Sequence, residues 1–205
     1  MLDDKCKKCR AVGEKLFLKG ERCFTPKCAL IRRGFRVLGK GRRRKTPTSY
    51  GKQLLEKQKV KLAYGMREKQ FRRYFKIALK KKVSTPEALA QLVENRFDNT
   101  VFRLGFAVSR TMARHLVSHG HFFLNGRKHN ISSTIVKKED VISIRPQSSN
   151  KVPFEDIKER LKKYSPPKHL KLDMNKMEGK VMTDPDLEEL QLPFDFTSIV
   201  ELYSR

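Results

Sequence analysis

The sequence predicts an α+β chain in three parts: an N-terminal arm, a helical segment, and a unit of two short helices followed by a small antiparallel sheet. Three observations carry this. Cys6, Cys9, Cys23 and Cys28 all fall near the N-terminus, in a polar stretch that needs a staple to fold. Phe71, Tyr74, Phe75, Ala78 and Leu79 recur at the i, i+3, i+4, i+7, i+8 spacing of one helix face. Asn125-Gly126 follows the apolar run Phe122-Phe123-Leu124, the strongest short-range hairpin signal.

The arm comes first. Its cysteines are spaced C-x2-C-x13-C-x4-C, and Thr25-Pro26 supplies a turn that brings Cys28 beside Cys23. Four thiolates around one ion suit a closed structural zinc site, and an iron–sulfur cluster uses the same donors. Lys5, Lys7, Lys8, Arg10, Arg22 and Lys27 would offset the negative charge of such a centre. The plainer alternative is four free thiols in a small core. Beyond the cysteines, Arg32 and Arg33 lead to Gly39-Lys40-Gly41-Arg42-Arg43-Arg44-Lys45, read as an extended, phosphate-seeking run.

Helical patterning extends over 50–82 and is interrupted at Tyr64-Gly65, giving two helices. Arg72 and Arg73 lie off the apolar stripe, so the aromatics are assigned to the core and the cations to the surface. Ser84-Thr85-Pro86-Glu87 starts a further helix with a capping-box pair. A short helix over Asn99–Leu104 ends at Gly105; Ser109 caps Arg110–Ser118, which Gly120 stops. After the hairpin, Val136 leads through a turn to Val141-Ile142-Ser143-Ile144. A helix is expected over 153–164 and a short strand at Leu170–Leu172. Residues 173–193 read as loop, and Ile199–Tyr203 as a terminal strand or docking segment.

Charge narrows the partner. Lys and Arg number 47 against 22 Asp and Glu, for a net +25. All of the excess lies in the first 145 residues, whereas the last 60 sum to −1. A one-sided distribution of this kind is the electrostatic footprint of a polyanion binder. An anionic membrane fits less well. No segment approaches the roughly 18 consecutive apolar residues of a span, and there is no Trp to anchor an interface. The start Met1-Leu2-Asp3-Asp4-Lys5 lacks the apolar run of a secretory signal, so a reducing, cytosolic setting is expected, in which four cysteines are not disulfides.

Specificity resides in 96–121. Arg96 and Arg103 are two turns apart, Arg110 and Arg114 are i and i+4, and Ser109 opens the second helix. Four guanidiniums on adjoining helices make forked donors for phosphate oxygens. Asp98 is an acid close by, and nearby acids are too few to occupy all four. His115, His119 and His121 lack the carboxylate or Cys that would make them a metal set.

This stretch, with His121-Phe-Phe-Leu-Asn125-Gly126 and Glu139-Asp140-Val-Ile-Ser-Ile144, resembles the small RNA-binding module named after ribosomal small-subunit protein four. The resemblance extends to that family as a whole through Tyr50–Lys59, Tyr64-Gly65, Glu68–Arg72, Lys176-Met177-Glu178-Gly179 and Ile199–Tyr203. It covers nearly the whole chain, in its four-cysteine, metal-binding variant. The resemblance implies a structural constituent of the small subunit that binds the 5′ domain of 16S rRNA early in assembly. It also implies a neighbour in small-subunit protein five, a position where mRNA enters, and an effect on decoding accuracy. Carried-over RNA contacts are Arg96, Asn99, Arg103, Ser109, Arg110, Arg114 and the Asn125-Gly126 turn. Arg32, Arg33, Arg42, Arg43, Arg44, Lys45, Arg72 and Arg73 join them on charge. Phe97 and Phe102 replace an expected Leu and Tyr, a departure assigned to packing.

The expected organisation is a basic arm over 1–45, a helical domain over 46–90 joined by 176–205, the RNA-binding module over 91–155 and a connector over 156–175. The same module is appended to RNA-modifying enzymes and to free-standing RNA chaperones. No nucleotide-binding or metalloprotease motif appears, and too little chain remains for a catalytic domain, so an enzyme is not expected.

Overall fold

A computed structural model describes residues 4–33, 48–149, 151–162 and 164–204. The chain divides into two units. One runs to Leu89 and resumes at Pro193; the other spans Ala90–Leu192.

In the first unit, α1 (Asp4–Val12), a 3-10 turn (Gly20–Cys23) and α2 (Ala29–Arg33) form the arm. Val12, Leu16, Leu18 and Cys23 are its buried side chains. The run 39–45 lies outside the described residues. Thr48 caps α3 (Ser49–Ala63) by accepting the Gly51 amide, and α4 (Glu68–Ala78) follows the break at Tyr64-Gly65. Of the stripe expected on α4, Phe71, Tyr74, Phe75 and Ala78 are buried while Arg72, Arg73 and Lys76 are exposed; Leu79 departs from it, since the helix ends at Ala78 and leaves Leu79 56% exposed as its C-cap.

Of the two readings of Ile199–Tyr203, a terminal strand or a docking segment, the strand gives way to helix α10 (Phe196–Ser204), which docks on α3. Asp195 starts it by accepting the Ser198 amide and hydroxyl, an N-cap that outweighs the β-leaning run Ile-Val. The helix packs on α3 and reaches α4. Tyr203 stacks on Phe75 at 4.6 Å and donates to Glu68 at 2.8 Å, and Gln53 donates to Glu201 at 2.8 Å.

The division between units falls within α5 (Thr85–Glu94), where Ser84 donates to Glu87 at 3.3 Å. The second unit continues with α6 (Phe97–Arg103) and α7 (Arg110–Ser118), then β1 (Phe122–Leu124), β2 (Arg127–His129) and β3 (Val141–Ile144). Asn125 and Gly126 have φ 50° and 76°, the left-handed pair that a tight two-residue hairpin requires.

The short strand expected at Leu170–Leu172 is present, and an unexpected strand beside it corrects the expected boundaries. β4 (Leu170–Asp173) and β5 (Glu178–Val181) complete an all-antiparallel sheet of order β2-β1-β3-β5-β4. Residues 178–181 therefore sit inside the module's sheet, not with the helical domain, and 156–175 is no mere connector. Its helix α8 (Ile157–Lys162) buries Ile157 and Leu161 in the same core as Phe97, Leu104, Phe122 and Ile142. The helix expected over 153–164 is split: Val152–Phe154 is a 3-10 turn, and α8 starts at Ile157. The expected loop 173–193 also contains a short helix α9 (Leu187–Leu190). A Cβ at Gly179 in β5 would lie 2.4 Å from Leu104 side-chain atoms, so any larger residue there requires the buried Leu104 to shift.

Candidate nucleic-acid interface

The α6–α7 pair is organised by a residue that the sequence reading missed. Glu94, at the end of α5, has a fully buried side chain and accepts Arg103 Nε and Nη2 at 3.0 Å each. It also accepts Asn99 Nδ2 at 2.7 Å, and Arg110 Nη2 lies 3.8 Å away. Asn99 closes the circuit, since its Oδ1 accepts Arg110 Nε at 2.8 Å. One buried carboxylate thus fixes two guanidiniums, one on each helix, through bidentate and amide-relayed bonds. The signal was present in the sequence: Glu94 ends the apolar helical run Ala88–Val93, where an acid is buried only with partners.

This network changes the roles of several expected contacts. Arg96 does not share a helical face with Arg103. It precedes α6 as its N-cap residue, pairs with Ile135 as an isolated β-bridge, and is wholly buried. Its guanidinium forks onto Asp98 at 3.0 and 2.6 Å, so it serves the core, not the surface. Asn99 is 1% exposed and occupied within the network. Ser109 is buried; it accepts the Met112 amide at 3.2 Å and acts as the N-cap of α7. Asn125 binds across to β3, donating to Asp140 at 2.8 Å and accepting the Val141 amide at 2.9 Å. Glu94 and Asp98 between them engage three of the four arginines, more pairing than Asp98 alone would give.

What reaches solvent is narrower and better held. Arg103 and Arg110 keep 19% and 18% of their side chains exposed, and Arg114 is half-buried on the following turn of α7. Arg110 lies 4.8 Å over the Phe102 ring, a cation–π contact, so Phe102 shapes the cationic surface as well as the packing. Gly126 is exposed with open space around its Cα. Beyond it, Arg127 and Lys128 are exposed on edge strand β2, two cations that the reading of the hairpin passed over. In the first unit Arg32, Arg72 and Arg73 are exposed, and Arg72 lies 3.6 Å from Glu68. Arg33 ends α2, while Arg42, Arg43, Arg44 and Lys45 lie outside the described residues.

Glu68 lies within reach of Lys57, Lys61 and the Tyr203 hydroxyl in that unit. Burial opposes its ionisation, but hydrogen bonds from Lys61, Tyr203 and Lys57 prevail and hold its pKa at about 2. His121 packs edge-on against Phe154 and shares a 2.9 Å hydrogen bond with Ser148 Oγ; burial pushes its pKa down. His115 and His119 are exposed.

The four cysteines are free thiols. They line one pocket, together with Lys5, Lys15 and Lys19. The expected ligand set is not assembled there, because no three His, Cys, Asp or Glu side chains among the described residues converge as a metal site. Burial pushes the Cys9 and Cys23 thiols up, and their thiol neighbours add to it.

A helical N-terminal unit followed by a helix-pair-and-hairpin module defines a two-part class. Its family descriptions match here: "Ribosomal protein S4/S9 N-terminal domain" over residues 2–94 and "S4 domain" over residues 95–142. Proteins named small ribosomal subunit protein uS4 resemble the chain over nearly its whole length. That of Caldicellulosiruptor bescii is 50% identical and that of Halothermothrix orenii 48%, each over 98% of this chain and 96% of the relative. That of Syntrophomonas wolfei is 48% identical over 99% of this chain and 98% of its own. The chain belongs to the uS4 family.

Proposed function

We propose that this protein is a structural constituent of the small ribosomal subunit, binding the 5′ domain of 16S rRNA as an early step of assembly and catalysing no reaction. The observation that carries this reading is the Glu94-centred network. Guanidiniums fixed along one edge by a buried carboxylate present the other edge in a set orientation. They can then meet phosphates that folded RNA holds at fixed positions, with little ordering cost on binding. Arg103, Arg110 and Arg114 are the selective contacts, with Gly126, Arg127 and Lys128 extending them along the hairpin. Arg32, Arg33, Arg72 and Arg73 and the run Arg42–Lys45 supply longer-range attraction. In that setting the neighbours are other small-subunit proteins, protein five among them, near where mRNA enters, with an effect on decoding accuracy.

The four-cysteine pocket is read as the seat of one zinc ion, an iron–sulfur cluster being the alternative. Support comes from the donors: all four cysteines of the spaced set line a single pocket, with lysines around it to balance a tetrathiolate, and an ion would have to draw together thiols that do not converge as a ligand set by themselves. Cys6, Cys9, Cys23 and Cys28 would hold the ion, which would tie α1 and α2 together.

The test measures binding to folded 5′-domain RNA and to an unstructured RNA of equal length, at several salt concentrations. With about 8 phosphate contacts, the log–log salt slope is expected at roughly −6 to −7. Arg110→Ala with Arg114→Ala should weaken binding to folded RNA far more than to the unstructured strand. Neutralising Arg42, Arg43 and Arg44 should weaken both alike. A slope shallower than about −2, or equal losses on both RNAs for the helix variant, refutes the reading.

A further inference from the structure

Two aromatic side chains of the arm are stacked on each other in the open. Phe17 and Phe24 lie with ring centroids 4.9 Å apart and planes 26° from parallel. Phe24 is 72% exposed and Phe17 38%. Isolated exposed apolar residues are ordinary, but a stacked pair facing water forfeits the burial that normally stabilises aromatics.

The chain holds the pair there deliberately. Leu16 and Leu18, on either side of Phe17, are buried. Phe17 itself adopts φ 50°, a left-handed conformation that is a true outlier for a bulky side chain and persists only where surroundings enforce it. Phe24 is fixed by its own loop: its amide donates to Glu21 O at 2.9 Å, and Thr25 Oγ1 donates to Arg22 O at 3.0 Å. Lys15 and Lys19 line the same pocket as Phe17, and Arg22 and Lys27 are exposed beside Phe24, with Glu21 the one acid of this stretch. A rigid π-face set among cations matches the chemistry of an unpaired nucleobase, whose ring stacks and whose flanking phosphates are anionic.

We infer that Phe17 and Phe24 form a stacking platform for one unpaired base of the RNA, Phe24 offering the outer face. The inference rests on the RNA-binding reading and adds a contact that reads an unpaired base rather than the backbone. It favours an RNA occupant over a protein one because cations dominate the surround.

The experiment uses the full-length protein and folded 16S 5′-domain RNA. Phe24→Leu keeps apolar bulk but removes the π-face. It should weaken binding by roughly 5- to 100-fold, the usual worth of a base–aromatic stack, while leaving the salt slope unchanged, since no phosphate contact is lost. Phe24→Trp places the only indole in a chain that has no Trp; it should bind as wild type does, with its fluorescence quenched by the RNA. Wild-type affinity for Phe24→Leu together with unquenched Phe24→Trp overturns the platform, provided the wild-type protein binds with a steep slope. A shallow wild-type slope overturns the RNA reading itself. Quenching that needs other small-subunit proteins, and not RNA, also overturns the platform in favour of a protein contact.

Discussion

Replacing Glu94 with alanine should damage the second unit and its RNA binding together, and the size of the loss follows from geometry. The carboxylate is fully buried and takes both forks of Arg103 at 3.0 Å. It also takes the Asn99 amide at 2.7 Å. Removing one partner of a buried pair strands the other charge, which typically costs about 3–5 kcal/mol. Arg103 is about one-fifth exposed and can turn partly toward water, so the expected loss is near the lower end, about 3 kcal/mol. Glu94→Gln keeps one acceptor but aims an amide N–H at a guanidinium, for a loss of about 2 kcal/mol. Because the chain has two units, a single unfolding curve would mix them. Amide hydrogen exchange over residues 97–118 isolates the right one. Protection there should fall by roughly a hundredfold for Glu94→Ala, and RNA affinity should fall with it even though the Glu94 side chain is fully buried. Protection within about 0.5 kcal/mol of wild type would refute the claim that this carboxylate organises the helix pair.

Other perturbations read other parts of the molecule. Gly179→Ala should destabilise the second unit by about 1–3 kcal/mol, seen as lost exchange protection in β3 and β5, because its Cβ would lie 2.4 Å from Leu104. The Glu68 pKa is depressed in the fold to about 2 from 4.5. Its contribution is therefore complete above pH 4.5 and drains away as pH falls toward 2. With the side chain 35% exposed, the solvent-discounted loss is about 1 kcal/mol; acid titration of first-unit stability should show it in wild type and not in Glu68→Gln. Cys9→Ser should lower the metal content of anaerobically purified protein and open residues 4–33 to protease while the second unit stays protected. Metal-free wild-type protein, by elemental analysis, would end the zinc reading.

The parts of this structure legible in the sequence are those set by neighbours along the chain. The α4 stripe as far as Ala78, the break at Tyr64-Gly65, the Ser109 cap and the Asn125-Gly126 turn each depend on a few consecutive residues, and each stands where the pattern put it. What escaped depends on distant partners. Glu178-Gly179-Lys180-Val181 has no strand-like composition and becomes a strand because β3 and β4 flank it and Leu104 needs the space of Gly179. Ile199–Tyr203 has strand-like composition and becomes helix because α3 and α4 offer it a surface. At the interface, the arginines announced themselves, but their rank did not. Burial separates Arg96, a core ion pair, from Arg103 and Arg110, and burial at Arg96 is imposed by Ile135 and Asp98, the first of which lies far along the chain.

The sheet order has a consequence for biosynthesis. β3 pairs on one side with β1, which is made before it, and on the other with β5, which is made after it. Until Val181 has left the exit tunnel, β3 presents an open edge and Leu104 lacks its cover from Gly179. At roughly 5–20 residues per second, the stretch from Ile144 to Val181 takes about 2–7 s to emerge. For that interval the nascent chain carries its arginine-bearing helices on an unfinished scaffold, exposed to pairing with other strands. The hairpin and helix pair come early, and their commitment to one shape waits on four residues delivered late.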